Sequence, residues 1–257
     1  MRLVAASDLT VAELAELFTA GYQGYFVPVR VDEAALDFMI DAWDIDLARS
    51  RVALDGDDRV GIANLAVRGD RSWIGGIGVV PAARGRGVGR ALMEAVLAEA
   101  PPIVTLEVIE QNEPAIALYR SLGFEHARFL EVWSLAGDVA PPDAEVGTAE
   151  PRPLGQEGLP WQRQDRSLGG GFERLETEGG AAIVRVTGPR VSVLQLRADG
   201  EASARRLLQA ARGRGESLHY VNVPEGDVAS VVLSVLGGTL ELRQHEMIRT
   251  TALRNTA

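Results

Sequence analysis

The sequence contains no cysteine and no lysine, and it has only three histidines, His126, His219 and His245. Without cysteine the chain can form no disulfide, no thiolate metal site and no thiol nucleophile. The histidines lie far apart along the chain, so they lack the spacing of metal ligands. We therefore expect a protein without a metal centre and without covalent cross-links.

Long apolar runs are also missing. No segment approaches the roughly 20 apolar residues that cross a bilayer, and the first residues lack the apolar core of a signal peptide. The formal net charge of −10 argues against a nucleic-acid partner, because binding to a phosphate backbone needs a basic face. The sequence thus predicts a cytoplasmic protein of one or two globular domains, with neither membrane nor nucleic acid as a partner.

One glycine-rich segment carries the most information. The apolar run 77–80 predicts a strand, and Arg84-Gly85-Arg86-Gly87-Val88-Gly89 follows it at the start of a predicted helix. Glycines let backbone N–H groups approach a ligand closely, and the positive end of a helix attracts phosphate. Arg84 and Arg86 can add charge-assisted hydrogen bonds. Residues 84–89 therefore predict a cradle for a pyrophosphate.

Two common phosphate motifs do not fit this segment. A P-loop requires a lysine, which the chain lacks, and a dinucleotide fingerprint would need glycine where Arg90 stands. The remaining pattern, Arg84-x-x-Gly87-x-Gly89, resembles the signature of the GNAT superfamily of acyl-CoA N-acyltransferases.

A second segment strengthens the resemblance. The run from Asn112 to Phe124 is similar to the family's other hallmark, Asn-x-x-Ala-x-x-Leu-Tyr-x-x-x-Gly-Phe. Asn112 is a good helix N-cap, and Gly123 is suited to end the same helix. Both hallmarks occur in the family's order, so the resemblance implies a complete GNAT domain over residues 1–135.

The resemblance also implies a function and a set of site residues. The chain would be an N-acetyltransferase with acetyl-CoA as co-substrate. Pantetheine would pair with the backbone of Gly78, Val79 and Val80, and Asn112 would contact the cofactor arm. Tyr119 matches the tyrosine that protonates the departing thiolate. The full set implied for the cofactor is Gly78, Val79, Val80, Arg84, Gly85, Arg86, Gly87, Val88, Gly89 and Asn112.

Two assignments stay open at this point. Glu107 is a candidate base beside the expected strand separation, or else an ordinary exposed glutamate. Tyr22, Tyr25 and Phe26 form the wall of the acceptor pocket, or pack beneath the sheet. Trp73 and Gly75-Gly76 stand where some family members have a catalytic carboxylate, so the sequence departs from that pattern.

Acidic residues are concentrated near the N-terminus. We read them either as a solvated surface or as a negative rim that attracts a cationic amine. The nine residues are Asp32, Glu33, Asp37, Asp41, Asp44, Asp46, Asp55, Asp57 and Asp58.

The second half of the chain repeats part of this plan. Residues 136–158 are rich in proline and glycine and predict a linker. An ungapped offset of 114 residues then places a second strand, helix and strand over those of the first domain. Asp199 and Glu201 fall at the cradle, where they would repel phosphate. We therefore expect residues 159–257 to form a degenerate GNAT-like domain that walls the acceptor site or serves structure, with one CoA per chain.

The predicted fold class is α/β, with two tandem domains of mixed sheet flanked by helices. The acceptor is expected to be a small cationic amine or a protein amine, and the chain a monomer with two pseudo-symmetric domains or a homodimer. The alternative function is a non-catalytic module that senses acyl-CoA or binds a protein.

Overall fold

The computed structural model describes residues 1–251, which form two compact units. The first comprises Met1–Ala127 and the end of the chain from Glu246, and the second comprises Arg128–His245. Both are mixed sheets with helices against them, so the predicted α/β class with two domains is confirmed. Among these 251 residues, no helix is both long enough and apolar enough to cross a membrane.

The sheet of the first unit has five strands in chain order, antiparallel except for the last pair. The strands are β1 (Arg2–Ala5), β2 (Arg51–Asp55), β3 (Asp58–Arg68), β4 (Arg71–Val79) and β5 (Ile103–Ile109). The helices are α1 (Val11–Gly21), α2 (Glu33–Ala42), α3 (Val88–Glu99) and α4 (Glu113–Ser121).

The helices cover both faces of this sheet. Leu14 of α1 and Leu36 of α2 pack on Ile62, whereas Leu92 of α3 belongs to a second cluster with Ala63. Alternate residues of a strand point to opposite faces, which is why neighbouring positions in β3 serve different cores. The central strands are therefore buried on both sides.

Local sequence explains where α4 begins and ends. Asn112 caps it, its side chain accepting from the Ala115 N–H at 3.3 Å, and Pro114 lies in the first turn. Gly123 follows the helix at φ +88°, a conformation that favours glycine. The capping roles predicted for this segment are confirmed.

The second unit has seven strands in the order β12, β6, β11, β10, β9, β8, β7. These are β6 (Glu125–Ala136), β7 (Gly147–Ala149), β8 (Glu173–Thr177), β9 (Gly180–Thr187), β10 (Arg190–Ala198), β11 (Ser217–Pro224) and β12 (Thr239–Thr250). Its helices are α5 (Glu201–Arg212) and α6 (Val228–Val235).

The internal repeat is present in the element order. Strands β5 and β11 begin 114 residues apart, at 103 and 217, and β6 and β12 do so at 125 and 239. Upstream the offset changes, because β4 begins at 71 and β10 at 190. The repeat therefore holds most closely for the strand, helix and strand that end each half.

The units divide at a different place from the boundary expected at residue 135. Strand β6 runs on to Ala136, which pairs with Ser217 of β11, so residues 128–136 belong to the second sheet. The end of β12 lies beside β5 in the first unit, where Met247 is buried with Leu106. Strand β6 thus continues into the second unit, and the end of β12 returns to the first.

The expected linker also contains ordered structure. Residues 147–149 form β7 against β8, and Leu154 is buried. The Leu154 N–H donates to Gln195 Oε1 at 2.9 Å. Proline and glycine prevent long elements in this stretch, but they do not prevent it from packing.

Candidate functional site

A cavity of about 580 Å³ opens in the first unit, between β4, β5, α4 and the turn before α3. Strands β4 and β5 create it, because they pair only from Arg71–Ile103 to Trp73–Thr105 and then separate. Its lining includes many of the residues predicted for the site. These are Tyr22, Tyr25, Phe26, Val79, Arg84, Gly85, Gly87, Val88, Gly89, Glu107, Asn112 and Tyr119.

The glycine-rich turn has the shape of an anion cradle. Gly85 and Gly87 have φ of +74° and +81°, and a Cβ on either would meet no atom within 4 Å. Gly87 is the N-cap of α3 and provides no side-chain acceptor for the first turn. Backbone N–H groups of that turn are suited to bind phosphate oxygens, with the helix dipole adding to the attraction. The turn therefore fits the pyrophosphate of coenzyme A.

The two arginines of the motif have other partners. The Arg84 guanidinium donates to the carbonyl oxygens of Val79 at 2.9 Å, Gly21 at 3.0 Å and Gln23 at 2.6 Å. These hydrogen bonds connect the end of α1 and the loop after it to the end of β4. Arg86 forms an ion pair with Asp55 at 2.8 Å and does not line the cavity.

Strand β4, which leads into the glycine-rich turn, lines the cavity with different residues from those expected. Val79 lines the cavity, but Gly78 and Val80 do not. Gly78 lies against Gly21, and the Val80 N–H donates to the Val60 carbonyl at 3.0 Å. Their places are taken by Gly76 and Ile77.

A β-bulge explains this shift. Asn64 pairs with Gly76 and Leu65 with Ile74, so Gly75 is an extra residue in β4. Gly76 has φ +146°, and a Cβ there would lie 2.7 Å from the Phe18 ring. Two successive glycines inside a strand are a sequence signal for such a bulge.

Tyr119 lies in the cavity wall with its side chain almost fully buried. Burial raises its pKa well above the ordinary value, and the nearby phenols of Tyr22 and Tyr25 raise it further. The Tyr119 phenol therefore stays protonated at neutral pH, as a proton donor must.

The aromatic residues at the end of α1 and in the loop after it pack in one continuous series. Ring centroids are 4.8 Å apart for Phe18 and Tyr22, 5.1 Å for Tyr22 and Tyr25, and 5.3 Å for Tyr25 and Phe26. Burial raises the pKa of Tyr25, while hydrogen bonds from Asn112 and the Ile109 backbone oppose that rise. Asn112 thus holds Tyr25 as well as capping α4.

Glu107 reaches the cavity from β5 and is held by a neighbour on β4. The Trp73 indole N–H donates to Glu107 Oε2 at 2.7 Å. Trp73 is itself buried and packs edge to face on Trp43 at 5.7 Å. Sequence reading did not find this pair, because the two residues are 34 positions apart.

The acidic segment does not surround the cavity. Asp44 pairs with Arg68 at 2.6 Å, Asp46 with Arg49 at 3.4 Å, and Asp55 with Arg86. None of the nine acids between residues 32 and 58 lines the cavity. This placement favours the reading of a solvated, ion-paired surface.

The second unit lacks an equivalent cradle. Residues 80–87 connect β4 to α3, whereas residues 199–200 alone connect β10 to α5. Strands β10 and β11 also separate after Val193 and Tyr220, but Arg163 lies between them. Its guanidinium donates to the carbonyls of Asn222 at 2.8 Å and Leu194 at 3.3 Å. The space between these strands is therefore filled by the protein itself.

Residues 1–251 contain no group of three or more histidine, aspartate or glutamate side chains placed to hold a metal ion.

Comparison with known proteins agrees with this geometry. Residues 11–124 match the model of the acetyltransferase (GNAT) family. A stretch of 50 residues is 52% identical to N-alpha-acetyltransferase RimI of Mycobacterium tuberculosis, covering 19% of this chain and 32% of that protein. The curated relatives that match in sequence are covered over only 14% and 32% of their own lengths.

Solved structures match over nearly the whole chain. A GCN5-related N-acetyltransferase from Sphaerobacter thermophilus has a TM-score of 0.68 at 17% identity, covering 97% of this chain and 94% of that one. A tandem GNAT protein from the clavulanic acid biosynthesis pathway has a TM-score of 0.67 at 15% identity, covering 99% of both chains. These likenesses establish the tandem fold.

Proposed function

We propose that this chain, which carries a GNAT-family acetyltransferase domain, transfers the acetyl group of acetyl-CoA to a primary amine in the cavity of its first unit. One observation carries the proposal. The separated strands β4 and β5, the glycine turn at α3 and the buried phenol of Tyr119 all border the same cavity.

The glycine turn and β4 would hold the cofactor. The first turn of α3 offers N–H groups to the pyrophosphate, and the edge of β4 after Trp73 is free of β5. A pantetheine arm can pair with such an edge as an added strand would. Arg84 acts indirectly, by fixing the loop and strand that border the turn.

Acetyl-CoA supplies the acyl group as a thioester. Glu107 is positioned to accept the proton that the attacking amine must lose, and the Trp73 N–H keeps the carboxylate oriented. Tyr119 donates its phenolic proton to the sulfur as the carbon–sulfur bond breaks. The new bond joins the amine nitrogen to the carbonyl carbon, so the products are an acetamide and free CoA.

The experiment that tests this function is thiol release in the presence of primary amines, with wild type and Tyr119→Phe compared. The chain has no cysteine, so a thiol reagent reports only released CoA. Tyr119→Phe keeps the ring that packs on Phe124 but loses the proton donor. We expect kcat to fall about 100-fold, as is usual when a general acid is removed.

Cofactor affinity is the control for that variant. Calorimetry should give an unchanged Kd for CoA and one site per chain. Full kcat in Tyr119→Phe when chemistry limits the rate would remove the phenol from the mechanism. Tight CoA binding by wild type without thiol release to any amine would favour an acyl-CoA sensor instead.

A further inference from the structure

The cavity of the first unit is lined by few charged residues. Among residues 1–251, Glu107 is the one acid that lines it, and the two basic residues are Arg84 and Arg90. Arg84 is bound to backbone carbonyls, and Arg90 lies beside Ser121 and Glu94 on the helices. A single carboxylate can balance a single ammonium group.

Another part of the cavity lining is aromatic, and its hydroxyl groups form hydrogen bonds within the protein. The Tyr22 hydroxyl bonds with the Ile77 backbone, and that of Tyr25 with Asn112 and the Ile109 backbone. Burial raises the pKa of both phenols, so neither supplies a negative charge at neutral pH. Phe26, with 55% of its surface exposed, continues the wall toward solvent.

These rings form a wall and not a cage. Tyr22 packs edge to face on Tyr25, and Tyr25 packs edge to face on Phe26. A cage for a second cation would need several ring faces around one point. Rings packed in sequence instead offer apolar contact area to a flat or aliphatic group.

Several carboxylates of the acidic N-terminal segment have partners or positions away from the cavity. Asp44 and Asp55 have arginine partners, and Asp32 caps α2 through the Ala35 N–H at 2.8 Å. Glu33 and Asp37 border a separate depression beside Val11. A second ammonium group in contact with the aromatic wall would lose its hydration without gaining a charged or hydrogen-bonding partner.

We propose that the acceptor is a monoamine whose amino group is flanked by an aromatic or other apolar group, and that diamines and polyamines are poor acceptors. This inference rests on the proposed function. The amine would lie at Glu107, and its apolar flank would lie on Tyr25 and Phe26. It replaces the expectation of an acceptor drawn in by a negative rim.

The test compares acceptors that differ in one group, with the full chain and saturating acetyl-CoA. Butylamine and 1,4-diaminobutane differ by the second ammonium, and 2-phenylethylamine adds a ring. We expect kcat/KM for butylamine to exceed that for the diamine by roughly tenfold, the size expected when a charge lacks a partner. The phenyl compound should exceed butylamine by a further severalfold, through added apolar contact.

Two phenylalanine variants test whether the aromatic wall contacts the acceptor. Phe26→Ala should lower kcat/KM for 2-phenylethylamine about fivefold and that for butylamine less, since a short alkyl chain has less apolar contact to lose than a ring. Phe38→Ala is the matched control, because Phe38 is 40% exposed and does not line the cavity. Its kinetics with both amines should equal those of wild type.

The outcomes separate this inference from the function on which it rests. Thiol release that is faster with the diamine than with butylamine would overturn the monoamine preference and leave the transferase standing. Equal effects of Phe26→Ala on both monoamines would overturn the aromatic wall. No release with any amine would overturn the proposed function, and this inference with it.

Discussion

Gly87 has a left-handed backbone conformation and also borders the cradle, and a comparison with Gly56 separates the effects of the two. It has φ +81° and it opens onto the cradle, whereas Gly56 in the β2–β3 turn has φ +65° and open space without a cavity. A side chain at either position forces a left-handed backbone, which costs about 1–2 kcal/mol of stability.

We expect Gly87→Glu and Gly56→Glu to be destabilised to a similar degree, while only Gly87→Glu loses affinity for CoA. A carboxylate in the cradle excludes the pyrophosphate by bulk and by charge, so Kd should rise at least about tenfold. Calorimetry measures the affinity, and thermal unfolding measures the shared backbone cost. Unchanged CoA affinity in Gly87→Glu would show that the turn is not the phosphate site.

Trp73 tests whether Glu107 acts as the base. Trp73→Phe keeps an aromatic ring in the strand but removes the N–H that stabilises the carboxylate. Loss of a hydrogen bond to the charged carboxylate disfavours the charged form, so the acidic limb of kcat/KM should move to higher pH. The pH–rate profile of wild type and variant is the measurement.

The second unit contains a matched control for that change. The Trp133 indole N–H donates to Glu131 at 2.8 Å, and the pair is buried. Trp133→Phe removes an equivalent indole N–H outside the cavity, so the pH–rate profile should keep its wild-type midpoint. An identical shift in both variants would mean that Glu107 does not determine the acidic limb of the pH–rate profile.

At the scale of elements, the end of β12 belongs to the first unit although the second unit precedes it in the chain. Met247 is 1% exposed among core residues of α3 and β5, and the Thr251 N–H donates to the Pro102 carbonyl at 2.9 Å. A chain that ends at His245 should therefore lose affinity for CoA and unfold at a lower temperature. The cost of uncovering a buried methionine alone is about 2–5 kcal/mol.

A chain that ends at Thr251 keeps the whole strand and serves as the control. CoA calorimetry and thermal unfolding compare the two lengths. Wild-type CoA affinity in the shorter chain would show that the first unit forms its site without β12.

The sequence could predict the features that depend on neighbouring residues, but not those that depend on distant ones. The cradle, the α4 caps and the repeated strand and helix depend on residues close together in the chain, and their patterns are readable. The return of β12 to the first unit depends on pairing between distant segments, and no residue near Glu246 indicates it. The partners of Arg84 are backbone carbonyls, which carry no side-chain signature.

The whole molecule has an unusual set of groups that titrate in alkali. It lacks lysine and cysteine, and arginine keeps its proton to about pH 12, so tyrosines dominate between about pH 9 and 12. Burial raises the pKa of Tyr22, Tyr119 and Tyr220, in the last case to about 12.

These shifts predict how stability depends on pH. The unfolded chain releases tyrosine protons near pH 10 while the folded chain retains them, so stability is full below pH 10 and falls above it. At pH 11 each buried tyrosine costs about 1.4 kcal/mol. Phenolate absorbance should therefore rise together with the loss of circular dichroism. A phenolate signal near pH 10 in a chain that keeps its native spectrum would contradict the prediction.

The return of β12 to the first unit also affects the order in which the protein can fold during synthesis. A ribosome synthesises residues 1–127 first, but the sheet of that unit is completed by residues 246–250, after the second unit has been made. Domains usually fold in the order of their synthesis. The unit that contains the cavity therefore cannot complete its core until translation has passed the second unit and reached β12.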